Sequence, residues 1–176
     1  GDVMDVVIRK AELQDLDLLM RWRMEVLHEV FSIPADQPLA ELEAENRRYY
    51  QKELPQGGHI ACFVYIGEEI VGCGGMCLYH EMPSPDNPSG KCAYLMNVYV
   101  RPQFRGHGIA SRLVRWLVEQ AREHHISKIY LETSEAGRPL YQRIGFSDMK
   151  DMMELPHENE QNQKEYTYNG TNDPQY

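Results

Sequence analysis

Apolar and polar positions change period several times along this chain, and each period predicts an element. Residues 6–11 (VVIRKA) read as a first strand. Residues 13–31 carry Leu16, Leu19, Met20, Leu27, Val30 and Phe31 at helical spacing, and Pro34 and Pro38 stop the pattern. Residues 39–54 predict a second helix, with Asp36 as its cap and Pro38 in its first turn. Two strands follow at 59–66 and 68–80, joined around Gly67 as a hairpin. Prolines, Asn87 and Gly90 make residues 81–91 a loop. Residues 92–100 (CAYLMNVYV) are largely apolar on both faces, the pattern of a strand inside its sheet.

The second half is built from the same units. Residues 107–125 predict an amphipathic helix: Ile109, Leu113, Leu117 and Ala121 form one apolar row and Ala110, Val114 and Val118 the next. Its opposite face carries Arg112, Arg115, Glu119, Arg122 and Glu123. A strand at 128–133 and a short helix at 137–144 follow, the helix with Pro139 near its start and Gly145 at its end. Residues 146–155 predict a last strand or hairpin arm. From His157 the chain is polar, rich in Asn, Gln and Glu, and interrupted by Tyr166 and Tyr168, which predicts a flexible or loosely docked tail. Strands and helices therefore alternate through one α/β domain over residues 4–156, followed by the tail at 157–176.

Composition narrows the function. The 176 residues suffice for one domain with a sizeable core. A net charge of −9, from 18 basic and 27 acidic residues, repels polyphosphate backbones, so no nucleic-acid partner is expected. The longest apolar run, IACFVYI, is far short of the roughly 20 residues of a membrane span, and the opening residues lack the apolar segment of a signal peptide. A cytoplasmic protein with no membrane partner is expected. Cys62, Cys73, Cys77 and Cys92 lie in apolar, strand-like segments and read as small buried hydrophobes in a reducing compartment. The seven histidines show no metal-ligand spacing, so no metal is expected.

One stretch carries chemistry. In VYVRPQFRGHGIASRLV an apolar strand stops at Pro102, passes Gly106, His107 and Gly108, and becomes a helix without a linker. A helix N-terminus presents unpaired N–H groups and about half a positive charge. Glycines there let the backbone turn tightly and let an anion approach with no Cβ in the way. The turn is thus a cradle for phosphate oxygens, ringed by Arg101, Arg105, Arg112 and Arg115. The nucleotide-hydrolysing pattern G-x-x-x-x-G-K-[ST] is absent, and the glycines come too late in the chain, with Ser111 in place of the third, for a dinucleotide fingerprint.

That stretch closely resembles the Q/R-x-x-G-x-G/A acetyl-CoA signature of the GNAT superfamily of N-acetyltransferases. The later GRPLYQRIGF resembles the superfamily's Y-x-x-x-G-F segment, in the right order and at the right separation. The resemblance implies a single-domain GNAT-like fold with a mixed, twisted and splayed central sheet flanked by helices. It implies acetyl-CoA as co-substrate. The amides of Gln103, Phe104, Arg105, Gly106, His107 and Gly108, continuing to Ile109, Ala110 and Ser111, would hold the CoA pyrophosphate. The backbone of Asn97, Val98, Tyr99 and Val100 would pair with the pantetheine amides like an added strand. An N–H near Val98 would bind the thioester oxygen. Ser134 stands where many members have an asparagine that contacts pantetheine. Tyr141 matches the tyrosine that in many relatives points at the CoA sulfur, and a phenol with pKa about 10 can donate to a thiolate of similar basicity.

Direct attack by an amine also calls for a proton acceptor. The strand before the signature holds no carboxylate; Glu132 on the next strand is one candidate, and Glu81 and His80 are others. Neutralising a lysine-like amine of pKa about 10.4 at pH 7 costs roughly 4.6 kcal/mol, against about 1 for an α-amine near 7.8. A missing strong base therefore fits an amine of low pKa or a proton relayed by water. Asp36, Glu81 and Asp86 lie in variable connections where they would attract an ammonium group. The resemblance thus implies acetyl transfer to a primary amine of a small molecule. Its rivals are a protein or peptide N-acetyltransferase and a CoA-binding module without catalysis. Many relatives dimerise, which extends the expectation of a homodimer to this chain.

Overall fold

The computed structural model describes residues 5–157. Five strands, β1 (Val6–Lys10), β2 (His59–Ile66), β3 (Glu69–His80), β4 (Lys91–Val100) and β5 (Lys128–Leu131), form one sheet in sequential order. The first three pairings are antiparallel and β4 to β5 is parallel, so the sheet is mixed. Helices α1 (Leu16–Val30) and α2 (Ala40–Gln56) cover one face, and α3 (Ile109–Glu123) and α4 (Arg138–Ile144) the other.

Period-2 alternation sorts the strand residues between the two faces. Ile60, Cys62 and Val64 of β2 join Leu113, Val114 and Leu117 in the α3-side core, while Ala61 and Phe63 join Leu19, Trp22 and Val26 on the α1 side. The apolar rows read from the α3 sequence are buried as expected except at Val118, which is half-buried. Gly67, at φ +62°, turns the β2–β3 hairpin. All four cysteines are free thiols, three of them buried and Cys77 half-buried. No helix among the described residues is long and apolar enough to cross a membrane.

Alternation fails once, and usefully. On β4, Ala93 and Leu95 face α3, but so do Val98 and Val100; the parity slips at Asn97. Asn97 has φ +61°, a conformation that asparagine tolerates better than most residues, and the β3–β4 register shifts opposite it, between Cys73 and Gly75. The bulge coincides with the end of the β4–β5 ladder, whose last pair is Leu95 with Leu131. Beyond it, the outer edge of β4 meets no strand among the described residues.

Three local expectations are corrected. Asp36 does not cap α2: it sits in a turn closed by the Gln37 N–H on the Pro34 carbonyl, and the helix starts at Ala40 without a side-chain cap. Pro38 therefore precedes the helix. Residues 146–155 form no strand; Met152, Met153 and Leu155 are exposed, because the apolar positions there follow no period of two that would give a strand a buried face. The expectation placed on Tyr166 and Tyr168 falls outside the described residues.

Candidate active site

The signature stretch folds as a bared helix entry. Pro102–Phe104 makes one 3-10 turn, held by the N–H groups of Phe104 and Arg105 on the carbonyls of Arg101 and Pro102. Gly106 and Gly108 follow at φ +87° and +76°, and Gly108 is the N-cap of α3. No side chain caps the helix. The first amide to find an acceptor is that of Arg112, on the Gly108 carbonyl. The N–H groups of Gly106, His107, Gly108, Ile109, Ala110 and Ser111 have no acceptor among the described residues. A Cβ built on Gly108 meets nothing within 4 Å, so the space above these amides is open. A row of unpaired donors under open space fits a diphosphate.

The ring of arginines does not form as expected. Arg101 makes a two-pronged pair with Glu25 on α1, at 2.9 and 3.1 Å, and stacks over Trp22. Arg105 donates from Nε to the Val100 carbonyl at 2.8 Å and from Nη2 to Glu29. Arg112 reaches back to the Val6 carbonyl. The carboxylates of α1 thus claim the first two. Arg105 therefore belongs to the cradle through its peptide, not its guanidinium, and the Val100 carbonyl is already an acceptor within the protein. Tyr99 points to the α1 face, where its hydroxyl donates to Glu29 and its ring meets Trp22 edge-on. Burial and that carboxylate push its phenol above the usual range.

Beyond the end of β5, Ser134 has a half-buried side chain whose Oγ is sealed from solvent with no hydrogen-bond partner, the one such side-chain atom among the described residues. An orphaned hydroxyl costs stability unless something arrives to satisfy it. Tyr141 on α4 is buried in the same core as Val98 and stacks edge-on with Phe146. Glu132, exposed just past β5, shares with Tyr141 the wall of an open cleft of about 1550 Å³ outside β5.

The other base candidates are in the wrong place. Glu81 accepts from Lys128 at 2.8 Å and from the Asn87 amide, and these bonds hold its carboxyl below the usual range. His80 pairs with Lys91, the first residue of β4. Val98 lies seven residue steps along β4 from Lys91, roughly 23 Å. Glu81, His80 and Asp86 thus belong to the far end of the sheet. Asp36 instead lines a cavity of about 830 Å³ between α1 and its connection to α2, together with Glu25, Glu29 and Glu43.

Sequence reasoning missed what lies beneath the bulge. Arg23 on α1 is half-buried, with Nε on the Asn46 side-chain oxygen of α2 and Nη1 on that of Asn97, both at 2.9 Å. Its position was a signal: it falls four residues after Leu19 and four before Leu27, inside the buried stripe of α1. Beside it, buried His59 is hydrogen-bonded at Nδ1 to the Tyr49 hydroxyl, 2.7 Å away, which itself donates to Cys77 Sγ, and burial followed by the Arg23 charge holds the imidazole down to about 3.

An open mixed sheet that parts beside a glycine turn, with bared helix amides at the parting, defines an acyltransferase domain. The chain belongs to the acetyltransferase (GNAT) family, whose profile matches residues 24–146. It is 32% identical to the uncharacterized N-acetyltransferase YjgM of Escherichia coli K12, over 80% of this chain and 81% of that one. It is 25% identical to the glucosamine 6-phosphate N-acetyltransferase of Trypanosoma brucei brucei, over 88% of this chain and 97% of the relative. Among solved structures, it superposes on a predicted acetyltransferase from Clostridium acetobutylicum crystallised with acetyl-CoA, at TM-score 0.76 and 29% identity, over 88% of this chain and 99% of that one.

Proposed function

We propose that residues 4–156 form one domain that transfers an acetyl group from acetyl-CoA to the primary amine of a small molecule in the cytoplasm. The observation that carries this reading is the row of acceptor-less amides from Gly106 to Ser111, opening beside the unpaired edge of β4. Acetyl-CoA, when bound, supplies a thioester whose carbonyl carbon a neutral amine attacks. The amides of 106–111 hold the diphosphate. The free edge of β4 at Val98 orients the pantetheine arm and offers an N–H to the thioester oxygen. The Ser134 hydroxyl gains the partner it lacks. Tyr141 gives its proton to the departing thiolate, and Glu132, on the same side of β5, takes the amine proton.

A small acceptor is favoured by the 830 Å³ cavity between α1 and the α1–α2 connection, which matches the size of small-molecule sites. The Trypanosoma relative, by its name, acts on glucosamine 6-phosphate. The free thiols of the four cysteines support a reducing compartment. Release of free CoA thiol from acetyl-CoA, measured against a panel of amines, tests the reading. Acetyl-CoA at 100-fold over its Kd should also raise stability by about 2.7 kcal/mol. No thermal shift with acetyl-CoA would refute the assignment.

A further inference from the structure

Arg23 carries a half-buried positive charge that pairs with no carboxylate among the described residues. Its hydrogen bonds use one hydrogen of Nε and one of Nη1, both to neutral amide oxygens, which leaves three of its five donors unspent among the described residues. Among the described residues it makes no ion pair and no further hydrogen bond. The neighbouring arginines differ: Arg101 has Glu25 and Arg105 has Glu29. The groups that surround the Arg23 guanidinium are Tyr50, Cys73, Cys77 and Tyr49, whose protons burial holds on, and His59, which burial keeps neutral. A desolvated cation in neutral surroundings is costly unless a partner arrives. Nη2 is not sealed in, because Ser134 Oγ is the only buried side-chain nitrogen or oxygen without a partner among the described residues. A sliver of Nη2 therefore stays open to solvent.

The position of this charge sets what the ligand must be. Asn97, which Arg23 grips, is the bulge residue next to Val98, where β4 leaves β5. The cavity between α1 and the α1–α2 connection touches the same two helices, but Arg23, Asn46 and Asn97 are not among the residues that line it. We infer that Arg23 is the anion-binding residue of the acceptor site, and that the acceptor is an amine bearing a carboxylate or phosphate group close to the nucleophilic nitrogen. The unspent N–H groups of the guanidinium hold that anion as a fork. The two asparagines keep the fork rigid without neutralising it, which a carboxylate in either place would do. This inference rests on the acetyl-transfer reading above.

The test measures thiol release from acetyl-CoA by the full chain with matched acceptors: α-amino acids against their amides, and phosphoethanolamine against ethanolamine. The acids should exceed their neutral partners by about tenfold or more in kcat/KM, and the more active of the two acid series identifies the anion. Arg23→Gln should bring the ratio to about one while leaving the thermal shift produced by acetyl-CoA in place, which guards against a merely misfolded variant. Asn46→Asp offers a second route: it keeps the oxygen that accepts from Nε but gives Arg23 a counter-ion, and should weaken the preference for acids with the guanidinium intact. Equal rates for acids and neutral partners, or a preference that survives Arg23→Gln, would overturn the inference. Absence of any acetyl-CoA shift in the unsubstituted protein would overturn the acetyl-transfer reading instead.

Discussion

Gly106 and Gly108 stand two residues apart, both in the left-handed region, so that the chain turns from β4 into α3 with its amides facing outward. At Gly108 no protein atom occupies the place of a side chain. Gly108→Ala should cost about 1 kcal/mol of backbone strain, visible in Tm. Because the new methyl touches nothing of the protein, any larger loss falls on the ligand. Acetyl-CoA affinity should drop about tenfold, as measured by calorimetry. Unchanged affinity would move the diphosphate away from this turn.

Ser134 separates folding from binding. Its hydroxyl is buried without a partner. Ser134→Ala should therefore leave the unliganded protein as stable or up to about 1 kcal/mol more stable, while KM for acetyl-CoA rises. Parallel thermal melts and initial rates decide the matter: loss of stability without ligand would show that the hydroxyl is satisfied by the protein itself.

Tyr141 is buried against the core that holds Val98. Tyr141→Phe keeps the ring and its edge-on contact with Phe146 and removes only the hydroxyl. As a proton donor to the thiolate, it should lower kcat by about 10²-fold with little change in KM for acetyl-CoA. A kcat equal to that of the unsubstituted enzyme would remove Tyr141 from the chemistry.

His59 predicts a slope of stability with pH. Folded, it stays neutral down to about 3; unfolded, it protonates near its ordinary 6.5. Below about 6.5 the unfolded chain therefore binds the extra proton, and stability falls as pH falls toward 3. Between pH 7 and pH 5 this one group should remove about 2 kcal/mol. His59→Asn keeps a polar partner for the Tyr49 hydroxyl and should flatten the slope over that interval in urea titrations. An identical slope in the variant would assign the effect to other groups.

Much of the fold was written in local pattern. The rows of α3, the hairpin at Gly67 and the apolar β4 follow from periodicity, which reports burial before any neighbour is known. The cradle was legible for a related reason. Gly106, Gly108 and the start of α3 are contiguous, so one short stretch determines both the bend and the bared amides. The strand expected at 146–155 failed because a strand needs a partner edge and a face, and composition alone does not supply them.

The rest came from elements far apart in the chain. Arg23, Asn46 and Asn97 meet only when α1 and α2 close over β4, and the bulge at Asn97 exists only in register with Gly74 of β3. The fate of each arginine was likewise a tertiary matter: Glu25 and Glu29 on α1 captured Arg101 and Arg105 and left Arg23 without a carboxylate. Sequence by itself determined where the chain bends, which faces turn inward and which backbone donors are left bare, because those depend on a few successive residues. Only the folded molecule decided which charges neutralise one another and which stays unmatched, because electrostatic pairing depends on distance in space rather than along the chain.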